Sequence, residues 1–302
     1  MTTAAFRCMD RRDFGKTLGA AMGSVLLPRS FRQAEKDKAA ATPFKLSVML
    51  WTVFKEMDFE QRLEKVSEAG YHAIELVREY DNWLPDDFRR FNAKKNSLHI
   101  TFDAIALVKR GIADPRERGA FLVELNQLLP IAEKLECQGI IVLSGNKVPG
   151  LSRKQHHQSC LECLKRSAEI ASRQNVTLFL ENIDPEENPR YYLTSAAEGF
   201  EIVRKVDHPH VKFLYDFYHE QIAEGNLIEK LHNNIAQVGL VHIADVPGRH
   251  APGTGEINYS NIFRKLTELN YEGYAAMEFL PVGNAVNELI TAREMALQSA
   301  AG

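Results

Sequence analysis

A chain of 302 residues that is 45% apolar and 25% charged has the composition of an ordinary globular protein, with length for one large core or two smaller ones. Its formal charge of −3, with no run of Lys and Arg beyond the N-terminus, excludes the basic stripe that tracks a phosphate backbone. No nucleic acid is expected, and small molecules are the expected partners.

The chain opens with Arg11 and Arg12, followed by the small-residue apolar run DFGKTLGAAMGSVLLP. Charged start, apolar middle and the small residues of KAAATP (Lys38 to Pro43) come in the order of a twin-arginine export signal. Residues 1–42 therefore read as signal and linker, and an exported, periplasmic location is expected. The alternative is an amphipathic helix that stays on the protein. The apolar run is too short to span a bilayer and no cysteine follows it, so no stable membrane anchor is expected.

From residue 43 to 302 the chain alternates two kinds of segment. Short β-branched or aromatic runs occur at Lys45 to Trp51, His72 to Leu76, His99 to Ile105, Gly139 to Leu143, Val176 to Leu180, Val211 to Tyr215, Leu240 to Ala244 and Tyr274 to Glu278. Helical patterns lie between them, among them Phe59 to Glu68, Arg116 to Leu135, Ser195 to Val206, Leu227 to Ile235 and Tyr259 to Leu269. Strands alternating with helices imply parallel pairing through right-handed crossovers, and eight such units predict an α/β fold of the closed (β/α)8 TIM barrel type. An open doubly wound sheet is the alternative, but the segment after the first strand, LWTVFKEMDF, lacks the glycine-rich turn that would favour it. Oligomeric state is left open; a homo-oligomer is compatible with the sequence.

Four cysteines include Cys8 in the signal, so Cys137, Cys160 and Cys163 make no disulfide framework. HHQSCLEC places His156, His157, Cys160 and Cys163 at short spacing, which raises a zinc site. Cys160, Leu164, Ala168 and Ala171 fall at helical spacing on one apolar side of a helix from Leu151 to Gln174, so the segment reads as a core-facing helix instead.

Barrel enzymes place their chemistry at the C-terminal ends of the strands. Four consecutive units supply ionisable residues there: Glu181 closes TLFLEN, Asp216 closes KFLYDF, His242 lies in LVHIAD and Glu278 in YAAMEF. Any one of them would serve as a helix cap or core residue. Together, three carboxylates near one another require a cation, and the mostly oxygen donor set with one imidazole suits Mn2+ or Mg2+, with Co2+ or Zn2+ also accommodated.

The stretches LENI, YDFYHEQIAEGN, HIADVPGRHAPGTGEINY and YEGYAAMEFLP resemble the hydroxypyruvate isomerase family, within the wider xylose isomerase-like group of sugar isomerases and epimerases. The resemblance runs from about Phe44 to the C-terminus and carries the family's metal ligands onto Glu181, Asp216, His242 and Glu278. One departure is that hydroxypyruvate isomerases often have glutamine at the position of His242, where ketose 3-epimerases have histidine. The resemblance implies isomerisation of hydroxypyruvate to tartronate semialdehyde through an enediolate, with Glu181 and Glu278 as proton carriers. A ketose 3-epimerase, an inosose-type dehydratase and a non-enzymatic sugar-binding protein are the alternatives. An abasic-site endonuclease shares the architecture but would call for more histidine ligands and a basic face.

Further residues are expected around this centre. His219 is placed to hold a substrate hydroxyl, and Glu75, closing the second strand, to contact substrate or orient His219. Arg249, and with it His250, is placed on the loop after strand seven to clamp a substrate carboxylate, the alternative being a loop arginine paired with Asp245. Glu256 reads as a loop-positioning residue, and Trp51 and Phe54 as apolar walls of the pocket.

Overall fold

The computed structural model describes residues 42–107 and 109–301. The twin-arginine pair and its apolar run lie outside the described residues. The strands are β1 (Lys45–Met49), β2 (Ala73–Leu76), β3 (Thr101–Leu107), β4 (Gly139–Leu143), β5 (Thr177–Glu181), β6 (Val211–Asp216), β7 (Val238–Ile243) and β8 (Tyr274–Met277). They pair in sequence order, every pair is parallel, and β8 returns to β1 to close the barrel. The chain is thus a (β/α)8 barrel, as its alternation of segments requires.

Helices connect the strands: α1 (Phe59–Glu68), α2 (Pro85–Ser97), α3 (Arg118–Leu135), α4 (Arg153–Ala171), α5 (Ala196–Val206), α6 (Phe217–Ala223), α7 (Leu227–Asn234), α8 (Tyr259–Glu268) and α9 (Ala285–Ala300). Several starts are fixed by a side chain that accepts an otherwise unpaired N–H: Asp58 for α1, Ser152 for α4, Ser195 for α5 and Asn258 for α8. β1 ends sooner than expected because Leu50–Thr52 turns into a 3-10 segment that carries Trp51 over the barrel mouth. No helix among the described residues is long and apolar enough to cross a membrane.

Burial follows the two-residue period of the strands. One face of each strand joins the helices in a large apolar layer that includes Val48, Ile74, Ile105, Val142, Leu180, Phe213, Val241 and Met277. The other faces inward, where Met49, Ala104, Ala106, Ile141, Leu214 and Leu240 form a smaller cluster that fills the barrel below its C-terminal end. Cys160 and Cys163 lie fully buried in the outer layer, and burial pushes both thiols up, away from the thiolate form a metal needs. His156 is spent on the Ala113 carbonyl at 3.0 Å, so HHQSCLEC is a core-facing helix.

Candidate active site

The inward register continues upward from this plug into ionisable residues. Asp216 and His242 are paired neighbours across β6 and β7, and Glu181 ends β5 while Glu278 directly follows β8. One donor atom from each of Glu181, Asp216, His242 and Glu278 lies within 4.8 Å of the others, and all four residues are buried.

Hydrogen bonds fix most of the donor atoms. Asp216 caps α6, its Oδ1 accepting from the N–H groups of Tyr218 at 2.7 Å and His219 at 3.3 Å. Its Oδ2 points into the cluster, buried and without a hydrogen-bond donor. Glu278 Oε1 accepts from Trp51 Nε1 at 2.9 Å, while Oε2 lies 2.7 Å from Arg249 Nη2 and 2.9 Å from His242 Nδ1. The remaining His242 nitrogen, Nε2, lies 2.9 Å from Glu75 Oε2.

These surroundings separate the two glutamates. Burial raises Glu181 to about 8, with Glu278 and Asp216 adding to it and His242 opposing. Burial also acts on Glu278, but Arg249 and His242 outweigh it and hold this carboxyl well below its ordinary range. His219 is raised to about 9 because the carboxylates of Asp216 and Asp184 overcome the effect of burial. One glutamate thus favours its acid form and the other its carboxylate, the pattern of an acid/base pair.

A divalent cation fits this donor set. Desolvated carboxylates crowd one face of an imidazole, and a buried carboxylate oxygen there has no hydrogen-bond partner, an expensive arrangement that a cation would satisfy. Glu181, Asp216, His242 and Glu278 would hold it.

The remaining expected residues fall in different places. His219 is buried beside the cluster, with Nδ1 2.7 Å from Asp184 Oδ2 and Nε2 3.5 Å from Asp216 Oδ2. Glu75 does not reach His219. Fully buried inside the barrel, it backs His242 instead, on the side of the ring away from the carboxylate cluster. Arg249 is buried, lies near the rings of Trp51 and Tyr218, and donates from Nη1 to Glu187 Oε2 at 2.8 Å as well as to Glu278. It makes no pair with Asp245, whose carboxylate is consumed by the backbone N–H groups of Val246, Gly253, Gly255 and Ile257. Gly255 permits that turn, since a Cβ there would stand 2.6 Å from Asp245 Oδ1. His250 bonds the Leu280 carbonyl at 3.0 Å and turns away from the cluster. Glu256 is exposed and accepts from Gln221.

Asp184 and Glu187, on the loop after β5, are additional members of the site. With His219 they form a second close group of potential ligands. Their signal in the sequence was the acidic run IDPEEN directly after the Glu181 strand end.

A family model described as xylose isomerase-like TIM barrel matches residues 63–297. The chain is 30% identical over 254 residues to the 2-oxo-tetronate isomerase of Haemophilus influenzae, a match covering 81% of this chain and 96% of that one. It is 29% identical over 241 residues to the hydroxypyruvate isomerase of Escherichia coli, covering 78% and 93%. Among solved structures, the AP endonuclease, family 2, of Brucella melitensis is similar with a TM-score of 0.74 at 26% identity, covering 82% of this chain and 97% of that one.

Proposed function

The chain belongs to the xylose isomerase-like TIM barrel family, and from that premise we propose that it is a divalent-metal-dependent isomerase converting hydroxypyruvate to tartronate semialdehyde. Its named relatives are isomerases of small hydroxy-keto acids, and this chain is an isomerase of that kind. The observation that carries the metal-dependent reading is the buried Glu181–Asp216–His242–Glu278 cluster with its unpartnered Asp216 oxygen.

When bound, the ion supplies Lewis-acid stabilisation of the negative charge that develops on the substrate's carbonyl oxygen. The protein's own groups move the protons. Glu278, held as a carboxylate by Arg249 and His242, takes a proton from C3 of hydroxypyruvate, leaving an enediolate. The C3 hydroxyl proton passes to the C2 oxygen, Glu181 delivers a proton to C2 as C3 becomes the aldehyde carbon, and exchange with solvent returns Glu278 to its carboxylate and Glu181 to its acid form. His219, locked by Asp184, donates from Nε2 to a substrate oxygen and holds it in register. Arg249 faces the substrate carboxylate, which takes the place of the half-exposed Glu187 on the guanidinium. Trp51, bonded to Glu278, fixes the base and walls the site against water.

The Brucella structure carries an endonuclease name. The cluster here holds a single imidazole and the chain a net charge of −3, neither of which suits a phosphodiester partner. The test is to strip the protein with a chelator, restore Mn2+ or Mg2+, and follow hydroxypyruvate, 2-oxo-tetronate and neutral ketoses by NMR. Tartronate semialdehyde formed only with metal supports the proposal. Turnover of ketoses alone would replace it with a 3-epimerase.

A further inference from the structure

Trp51 stands at the barrel mouth on a segment that has little of its own to hold it there. Its Nε1 donates to Glu278 Oε1 at 2.9 Å, and its ring centre lies 5.7 Å from the Arg249 guanidinium. The 3-10 segment Leu50–Thr52 is a single turn. It is closed by a long bond from the Val53 N–H to the Leu50 carbonyl, at 3.3 Å, and by Thr52 Oγ1 on the Met49 carbonyl at 2.8 Å. Two residues after it, Phe54 sits at φ 55, in the left-handed region that a bulky side chain rarely enters. A single 3-10 turn followed by a disfavoured bend does not fix a side chain by itself.

The neighbouring unit supplies the support. Arg62, on α1, donates from Nη2 to the Leu50 carbonyl at 2.5 Å, and the same nitrogen lies 3.4 Å from the Val53 carbonyl, so it grips both ends of the turn. The Arg62 side chain is 12% exposed, and Glu79, 9% exposed on the loop after β2, lies 3.5 Å from that nitrogen. Glu79 Oε2 in turn accepts from the Val77 N–H. The loop after β1, the helix α1 and the loop after β2 are thereby tied at one point. A guanidinium taken out of water to meet carbonyls needs a neutralising carboxylate, and Glu79 is that group. From this tie the path to the cluster runs through the backbone of Leu50 to Trp51 and its bond to Glu278.

We propose that Arg62 is a positioning residue: neutralised by Glu79, it clamps the Leu50–Val53 turn and so fixes Trp51 against Glu278 and beside Arg249. With Trp51 held, Glu278 keeps the donor on its Oε1, and Arg249 keeps one of the two aromatic rings, Trp51 and Tyr218, that flank its guanidinium. The consequence for turnover rests on the proposed reading of Glu278 as the base. The placement of Trp51 does not rest on it.

Two measurements on the full chain test it. The first reads Trp51 directly. The chain has two tryptophans, so Trp83→Phe leaves Trp51 as the sole one. In that background Arg62→Met, which keeps the apolar stem and removes the donors, should raise acrylamide quenching of Trp51 about twofold and shift its emission to the red, because the turn opens locally. Glu79→Gln should move both in the same direction by less. Folded variants with unchanged quenching, however far their unfolding midpoints drop, overturn the proposal, and Glu79→Gln decides the point if Arg62→Met does not fold. The second is a double-mutant cycle with Trp51→Phe on hydroxypyruvate turnover. Loss of a hydrogen bond to a charged group predicts a fall in kcat/KM of about tenfold for Arg62→Met alone, and a further fall below about twofold in the Trp51→Phe background. Equal falls in both backgrounds mean that Arg62 acts by another route, which overturns the proposal. A wild type without hydroxypyruvate turnover overturns the proposed function instead, and the quenching result then decides the role of Arg62.

Discussion

Glu278→Gln removes one negative charge and leaves side-chain volume nearly unchanged. The carboxylate receives Arg249 at 2.7 Å and His242 at 2.9 Å on one oxygen and Trp51 at 2.9 Å on the other. An amide presents one acceptor and one donor, so one of these donors must face an NH2 group. The buried guanidinium keeps Glu187 at 2.8 Å and Asp216 at 3.5 Å. Breaking a buried charge pair from one side typically costs about 3–5 kcal/mol, and these surviving partners place this variant near the lower end, about 3 kcal/mol. Urea unfolding of metal-stripped wild type and variant, followed by circular dichroism at neutral pH, measures the loss. The metal-loaded variant should also turn over about 10²–10⁴ times more slowly, since it lacks the proton acceptor. Stability within about 1 kcal/mol of wild type together with unreduced turnover would refute both the electrostatic account and the role of Glu278.

Other expectations follow from the same geometry. Glu181, raised to about 8 by burial, is largely protonated at neutral pH without metal, so binding must expel its proton. Affinity for Mn2+ should therefore rise with pH until about 8 and then level. Calorimetry in buffers of different ionisation enthalpy should register proton release at pH 7, and none released would contradict the assignment of Glu181 as a ligand. Arg249→Lys keeps the charge but loses the fork that reaches Glu278 and Glu187 together, so KM for hydroxypyruvate should rise while a neutral ketose is handled as before. We also propose export through the twin-arginine pair: changing Arg11 and Arg12 to Lys should retain the precursor in the cytoplasm, and an unchanged exported yield would refute it.

The barrel and the meeting of Glu181, Asp216, His242 and Glu278 at one end of it were legible because both follow from periodicity. Apolar runs that end in Glu181, Asp216 and Glu278 mark strand ends, and parallel pairing brings strand ends to one face. The helix Pro85–Ser97 was harder to see because its buried face is only Phe88, Phe91 and the stem of Lys95. Ala285–Ala300 buries Leu289, Ala292 and Ala296, too small a set to make an apolar stripe. Side-chain direction in loops has no periodic signature at all. Asp245 looked like a partner for Arg249 because it is close in sequence, yet four backbone N–H groups of its own loop claim it. The partners of Arg249 are Glu278, at the end of β8, and Glu187, from a different loop. Arg249 itself sits at φ 57, a backbone conformation that costs a non-glycine residue about 1–3 kcal/mol and that no residue pattern announces.

The most direct test of the metal-dependent isomerase is deuterium wash-in. Metal-stripped protein, protein restored with Mn2+ or Mg2+, and restored Glu278→Gln are each incubated with hydroxypyruvate in deuterated water, and the substrate carbon is read by NMR or mass spectrometry. The account predicts enzyme-catalysed deuterium at C3 of recovered substrate or C2 of product only in the restored wild type, because a carboxylate that takes a carbon-bound proton exchanges it with solvent. Equal wash-in without metal, or full wash-in by Glu278→Gln, would contradict it.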